Sequence, residues 1–285
     1  MHPARRLWTA LEPLHGVVYF APGVRDAGIK IGMRGFWMTY FAFRAAPVGP
    51  AGAGTVVAMF AGFEPGMVFK ALPDAWSRAD TATCLAARSE VSAAALREAG
   101  VDESACADAA ALLRPVAGSA DPTGRPLYAA NASLPMPEDP VAALWQLATT
   151  LREHRGDGHV AALVSQGVTG LEALVLQVGA GKFPAELMRS VRGWSVGDWD
   201  VAARALRSRG LLEQDGRLSP WGREFLDAIE ERTDERAWTG GLSTLGEDGV
   251  EKVIAVLRPS VTALWRSGML PEVNPTGLPP NRVAK

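Results

Sequence analysis

Apolar positions recur at helical spacing along most of the chain, and the order of signals is clearest between Phe183 and Arg236. The run Pro184 to Val191 predicts a helix that stops at Gly193. Ser195, with Asp198 three residues on, makes a capping-box-like start for a second helix. That helix places Trp199, Ala202, Ala203 and Leu206 on one face at the i, i+3, i+4, i+7 spacing and ends at Arg209-Gly210. Leu211 to Leu218 then predicts a short hairpin turning at Asp215-Gly216. Ser219 as N-cap and Pro220 at the first helical position open a further helix expected to bury Trp221, Phe225, Ala228 and Ile229.

Elsewhere the pattern predicts a helix from Trp8 to Leu14 and an all-round apolar, buried helix from Phe36 to Phe43, closed by Arg44. Another helix starts at Phe63-Glu64-Pro65, and alanine-rich helices cover 81–97 and 103–114. Pro122 to Pro140 holds five prolines and reads as an irregular crossover. Asp139 and Pro140 cap a periodic helix with Leu144, Leu147, Ala148 and Leu151 on one face, and Glu247 to Arg266 is amphipathic. A faint repeat runs through this order: Leu7-Trp8 recurs as Leu144-Trp145, Gly62-Phe63 as Gly193-Trp194, and Leu113-Arg114-Pro115 as Leu257-Arg258-Pro259. It divides the chain into 1–140, a helical domain expected to be a diverged copy, and 141–275, with its core at 167–236, followed by a tail over 276–285.

Helix, turn, helix, hairpin and helix in this order make a winged helix-turn-helix. The stretch Leu206 to Thr233 resembles the MarR-type winged-helix regulators in its Leu206-x-x-Arg209-Gly210-Leu211-Leu212 run, its Asp215-Gly216 wing and its Ser219-x-x-Gly222-Arg223 helix start. The expected fold class is therefore mainly α, with a winged helix-turn-helix C-terminal half and a degenerate winged-helix-like N-terminal half in tandem. Such a monomer is a pseudo-dimer, with a homodimer as the alternative.

Charge weakens the DNA-binding implication without removing it. The 285 residues are 48% hydrophobic with a net charge of −2, so the whole chain has no surplus of Lys and Arg for phosphate. Residues 183–236 hold nine arginines against eleven acids, and Asp198 and Asp200 stand on the first turns of the recognition helix. Acids there also satisfy the helix dipole with no DNA present. The residues available to duplex DNA are Arg189, Arg192, Ser195, Arg204, Arg207 and Arg217. Cys84 and Cys106 lack C-x-x-C spacing and read as buried free thiols of a reducing cytoplasm. No stretch approaches the roughly 18 apolar residues of a membrane span, and the basic start has no apolar region behind it, so a cytoplasmic protein without a membrane partner is expected.

Candidate chemistry concentrates in Arg152-Glu153-His154-Arg155-Gly156-Asp157-Gly158-His159, a polar run between apolar helices. One reading is a helix junction, with His154 at a C-terminus and Asp157 as the next N-cap. The other is a ligand or metal pocket, with His154 and His159 as donors and Arg155 or Asp157 orienting the ligand. Gly156 and Gly158 are expected to break the helix, so the H-x4-H pair need not share a face. His15, near Glu12 and Tyr19, would complete a three-histidine metal site with His154 and His159, or else is a hydrogen-bonded core histidine. Trp37, Tyr40 and Arg44 share a helix face and suit a flat anionic or aromatic ligand, or serve as core. No phosphate-binding loop, dinucleotide fingerprint or Ser-His-Asp signature is present.

Taken along the chain, Leu7-Trp8, Glu12-x-x-His15, Arg34-Gly35-Phe36-Trp37, Leu72-Pro73-x-Ala75-Trp76 and the run from Leu151 to His159 resemble an actinobacterial family of helix-turn-helix proteins. The resemblance implies a fold and no reaction. Two functions remain open: a ligand-responsive winged-helix transcriptional regulator holding a small molecule between its halves, or a small-molecule, metal or haem binding protein or enzyme on the same scaffold. A DNA-repair glycosylase is a third, which the acidic recognition helix disfavours.

Overall fold

Side-chain caps start many of the helices. The computed structural model describes residues 1–277, so residues 278–285 of the expected tail lie outside the described residues. The N-terminal half comprises α1 (Pro3–Phe20), α2 (Gly23–Lys30), α3 (Phe36–Ala45), α4 (Ala53–Met59), α5 (Pro65–Ala71), α6 (Asp74–Arg78), α7 (Thr81–Glu98), α8 (Glu103–Ser119) and α9 (Pro126–Ala132). The long α10 (Pro140–Ser165) leads to α11 (Gly170–Gly179), α12 (Ala185–Arg192), α13 (Val196–Ser208), α14 (Pro220–Thr239) and α15 (Gly246–Arg266). Glu64, Asp80, Asp102, Asp139, Ser195 and Ser219 each accept a hydrogen bond from the first turn they precede, and Thr169 with Glu172 forms a reciprocal capping box. Such a cap contributes about 1 kcal/mol to its helix.

The helix α10 is the axle. Every residue from Val141 to Leu151 is buried, because α1, α7, α8, α9 and α14 surround it. A large core formed by α1–α9 also takes in the last turns of α14 and the whole inner face of α15, which lies on α1 and α8. A smaller core joins Ala162 and Leu163 at the end of α10 to Val175, Leu176, Met188, Trp199, Leu206, Leu226 and Ile229. One helix thus passes from the first core into the second.

The structure corrects several expectations. Among the described residues there is no β-strand, and the expected wing is a turn with one isolated antiparallel bridge, Leu212 to Leu218. Leu211, Leu212 and Leu218 are all buried in the small core, so they do not alternate across a ribbon. The two arms share only the bonds of that bridge, Glu213 N–H to the Arg217 carbonyl and Ser219 N–H to the Leu211 carbonyl, while the Leu218 amide donates to the Gly179 carbonyl of α11. Both the winged helix and its degenerate N-terminal copy are therefore set aside. The N-terminal residues and α15 complete a single core, where tandem halves would each close their own. Gly156 and Gly158 do not break the helix, which runs unbroken to Ser165, and the crossover after Pro122 contains α9. On α14 the buried face is Gly222, Leu226, Ile229, Thr233 and Ala237, leaving Trp221 54% exposed. The expected buried helix at 36–43 is present as α3, and Cys84 and Cys106 are buried free thiols.

The three-helix unit α11–α13 is seated on the loop between α4 and α5. A Cβ at Gly170 would overlap the Ala61 carbonyl, and one at Gly193, where φ is +79°, would overlap the Met67 side chain. Trp194 Nε1 donates to the Gly62 carbonyl at 3.0 Å, and the Glu64 amide donates to the Arg192 carbonyl at 2.8 Å. Because backbone rather than a mobile side chain opposes a Cβ at position 170, Gly170→Ala is expected to cost about 1–3 kcal/mol, read as a lowered urea midpoint with an unchanged slope.

Candidate functional site

The charged second half of α10 enters the seam between the two cores and finds its partners there. Arg44 on α3 grips Glu153 with two bonds, Nε to Oε1 at 3.0 Å and Nη2 to Oε2 at 3.1 Å. Arg152 reaches the same carboxylate at 3.1 Å and Glu12 of α1 at 3.4 Å, while Trp8 Nε1 donates to Glu12 at 2.9 Å. One turn on, Arg155 pairs with Asp234 at 2.8 Å and Glu230 at 3.2 Å, and Arg5 pairs with the same two acids of α14 at 2.7 and 2.9 Å. The Arg155 guanidinium also lies 5.0 Å over the Trp8 ring. Burial disfavours each charge, but Arg44 and Arg152 hold the Glu153 carboxyl well below the usual range. Against burial, His159, Arg155, Lys182 and Arg5 hold Glu230 down at about 2.

Around this network lie three spaces. A polar cavity of about 350 Å³ is walled by Arg5, Glu12, Arg152, Arg155, His159, Gln177, Lys182, Arg192 and Glu230, with Trp8, Leu174 and Phe183 as its apolar sides. A second, of about 210 Å³, shares Arg152, His159, Gln177 and Arg192 with it and extends to Arg44, Phe60 and Asp157. The third is an almost wholly apolar groove of about 180 Å³ between Tyr19, Phe20, Phe36, Trp37, Tyr40 and Phe63, closed at one end by Arg192.

The expected ligand residues divide among these spaces. Trp37, Tyr40 and Tyr19 line the apolar groove, Arg155 and His159 the polar cavity, and Arg44, Asp157 and His159 the second cavity. His15 bonds Thr149 and Tyr19, each at 3.0 Å, and faces a water-sized void with Arg44 and Glu153. His154 packs edge-on to Tyr128 at 4.8 Å between ring centroids, and His159 bonds Thr233 at 3.0 Å. The three histidines are not brought together, and among the described residues no group of three or more His, Cys, Asp or Glu side chains is placed to hold a metal ion. Asp157 does cap a helix, though not the one that follows it: its carboxylate accepts the Tyr128 amide of α9 at 2.9 Å. Burial pushes its pKa up to about 6.

The expected DNA residues also diverge. Arg204 is exposed on α13 and Arg217 is exposed beside Asp215, while Arg189 and Arg207 are half-buried. Ser195 is the N-cap of α13, its hydroxyl joined to Asp198. Arg192 faces inward: its guanidinium lies 4.3 Å over the Phe63 ring, and Nη2 donates to the Pro275 carbonyl at 3.1 Å. Glu153, Arg152, Arg5, Glu230, Asp234 and Lys182 were absent from the sequence-based site. Glu153 and Arg152 stood in the polar run, but partners such as Arg5 and Glu230, 225 residues apart, leave no local signal.

Burial pushes the His154 pKa down to about 4. Between pH 6.5 and 4 the unfolded chain takes up a proton that the folded ring refuses, so stability falls as the pH drops through that window. His154→Phe is expected to remove this contribution, making the loss of stability between pH 7 and 4 about 2–3 kcal/mol smaller, measured by urea unfolding at each pH. Glu153→Gln leaves two buried guanidiniums without their shared carboxylate and is expected to cost about 3–5 kcal/mol in the same measurement.

No curated protein and no solved structure is matched by the chain. Among the described residues no single helix is long and apolar enough to cross a membrane. The helix pair α12 and α13, joined through the left-handed Gly193, has the order of a helix-turn-helix, and residues 4–271 match the model of a helix-turn-helix family. The match spans nearly all of the chain, which therefore belongs to this helix-turn-helix family.

Proposed function

We propose that the protein is a DNA-binding helix-turn-helix regulator whose hold on DNA is set by a small molecule in the seam between its two cores. The observation that carries this reading is the position of Arg192. It is the last residue of α12, so its backbone leads directly into the turn before α13, while its side chain walls all three spaces of the seam. A ligand that touches Arg192 touches the support of the recognition helix. The Arg192 carbonyl and the Trp194 indole tie that turn to the α4–α5 loop, so a change in the seam has a short mechanical route to α13. On the outer side, α13 exposes Asp198, Asp200, Val201, Arg204 and Ser208. Arg204 is the residue we assign to DNA, with Arg189 and Arg217 flanking it.

The two exposed aspartates favour a second reading, a small-molecule binding protein that retains the helix-turn-helix scaffold without the DNA role. Duplex retardation against salt separates the two. Selection from random-sequence duplexes is expected to enrich a binding site, with log K falling linearly as log salt rises. Arg204→Ala is expected to reduce that slope by about one. Retention no greater than that of a neutral control protein at low salt would remove the regulator reading and leave the second.

A further inference from the structure

We infer that the seam takes an amphipathic anion, a carboxylate attached to a flat apolar body, with its charge on Arg192 and Lys182 and its body in the aromatic groove. The inference rests on the small-molecule half of the function proposed above and names the ligand class.

Charge is the first ground. Arg5, Arg44, Arg152 and Arg155 are each matched to a carboxylate of Glu12, Glu153, Glu230 or Asp234. Arg192 and Lys182 line the same polar cavity, and neither makes an ion pair among the described residues. The Arg192 Nε is buried without a hydrogen-bond partner, while Nη2 donates to the Pro275 carbonyl and the guanidinium also bonds the Tyr40 side chain, so its partners are neutral groups. A half-buried guanidinium without a counter-charge is costly, and desolvation, with Arg44 and Arg152 nearby, lowers its pKa. A bound carboxylate would supply the missing partner through a charge-assisted bond.

Shape is the second ground. Arg192 is shared by the polar cavity and the apolar groove, so one molecule can span both. The groove walls are aromatic and fixed against one another: Trp37 and Phe63 lie 6.0 Å apart between centroids, Tyr40 and Phe63 5.3 Å, and Phe36 and Trp37 5.0 Å. Aromatic walls with a single cation at one end select a ring or short chain bearing one negative group. They offer few partners to a polar body: beyond Arg192 and Thr276, the polar atoms of the lining residues are the hydroxyls of Tyr19 and Tyr40 and the Trp37 indole N–H, and the Tyr19 hydroxyl is already engaged by His15.

Calorimetry of the full-length protein with 2-naphthoate, set against methyl 2-naphthoate, tests this. The acid is expected to bind one per chain and at least tenfold more tightly than its neutral ester. Arg192→Gln and Trp37→Ala are each expected to weaken it tenfold or more, and Arg192→Lys to restore part of the loss. Lys182, at the exposed rim, gives a variant, Lys182→Gln, that leaves the core untouched and is expected to weaken the acid and not the ester. Equal affinity for acid and ester, no binding of the acid at millimolar concentration, or naphthoate affinity unchanged in folded Arg192→Gln would overturn the inference. Duplex retardation on the same samples keeps the two proposals apart. Arg192-dependent naphthoate binding without DNA retention upholds the ligand and removes the regulator. DNA retention without naphthoate binding removes the ligand class alone.

Discussion

The structure depends on burying one helix that is apolar along its first half and charged along its second. From Val141 to Leu151 every residue of α10 is buried, and its polar side chains Gln146, Thr149 and Thr150 are hydrogen-bonded. From Arg152 to His159 it carries charges that no apolar neighbour can accept. The molecule meets that demand with carboxylates and guanidiniums from α1, α3 and α14, arriving from opposite ends of the sequence. Removing one member leaves another charge buried without its partner, and this is why the network behaves as a unit. The two polar cavities of the seam lie beside these charged residues.

Local chemistry was legible in the sequence. Ser195, Ser219-Pro220, Asp139-Pro140 and Glu64-Pro65 start helices where expected, because a cap and the amides it satisfies lie within three residues of one another. The inner face of α13, with Trp199, Ala202, Ala203 and Leu206, was legible for the same reason. Misreadings arose where distant packing decides the outcome. Two glycines in Arg155 to Gly158 signal a break, yet burial on all sides holds the helix together and gives Gly158 a close neighbour in Arg125. Asp215-Gly216 signals a hairpin, yet three leucines beside it are drawn into the small core and leave one bridge. The matched dipeptides that suggested a repeat are local, whereas the pairing of α1 with α15 that joins both ends in one core is not.

The residues expected to form a ligand site meet partners that the sequence alone does not indicate. The run from Arg152 to His159 does form the floor of the seam, and Tyr19, Trp37, Tyr40 and Arg44 do gather beside it. On an unbroken helix, five residues at about 100° each turn His159 roughly 140° from His154. The two rings therefore face different elements, Tyr128 for one and Thr233 for the other. Arg192 is the instructive case. Its place before the turn of a helix-turn-helix suggested an outward, phosphate-facing role, but the docking of that turn onto Gly62 and Glu64 directs it inward.

In the function proposed above, that inward turn would give a ligand and DNA a common support without a common surface. A ligand shifts an equilibrium only by the difference in its affinity for the two states. Contacts made solely to the rigid ion-pair floor would favour no orientation of α13 over another. Arg192 differs from the other cations of the seam because its backbone is bonded to the α4–α5 loop on one side and continues through Gly193 into α13 on the other. On the inferred ligand class, a carboxylate competing with the Pro275 carbonyl for its guanidinium would change the position of that side chain, and the left-handed Gly193 behind it is where the backbone would absorb the change. Coupling of this kind is reciprocal. In the function proposed above, DNA that fixes α13 would alter ligand affinity by the same factor, through the turn that Arg192 and Trp194 together hold on the α4–α5 loop.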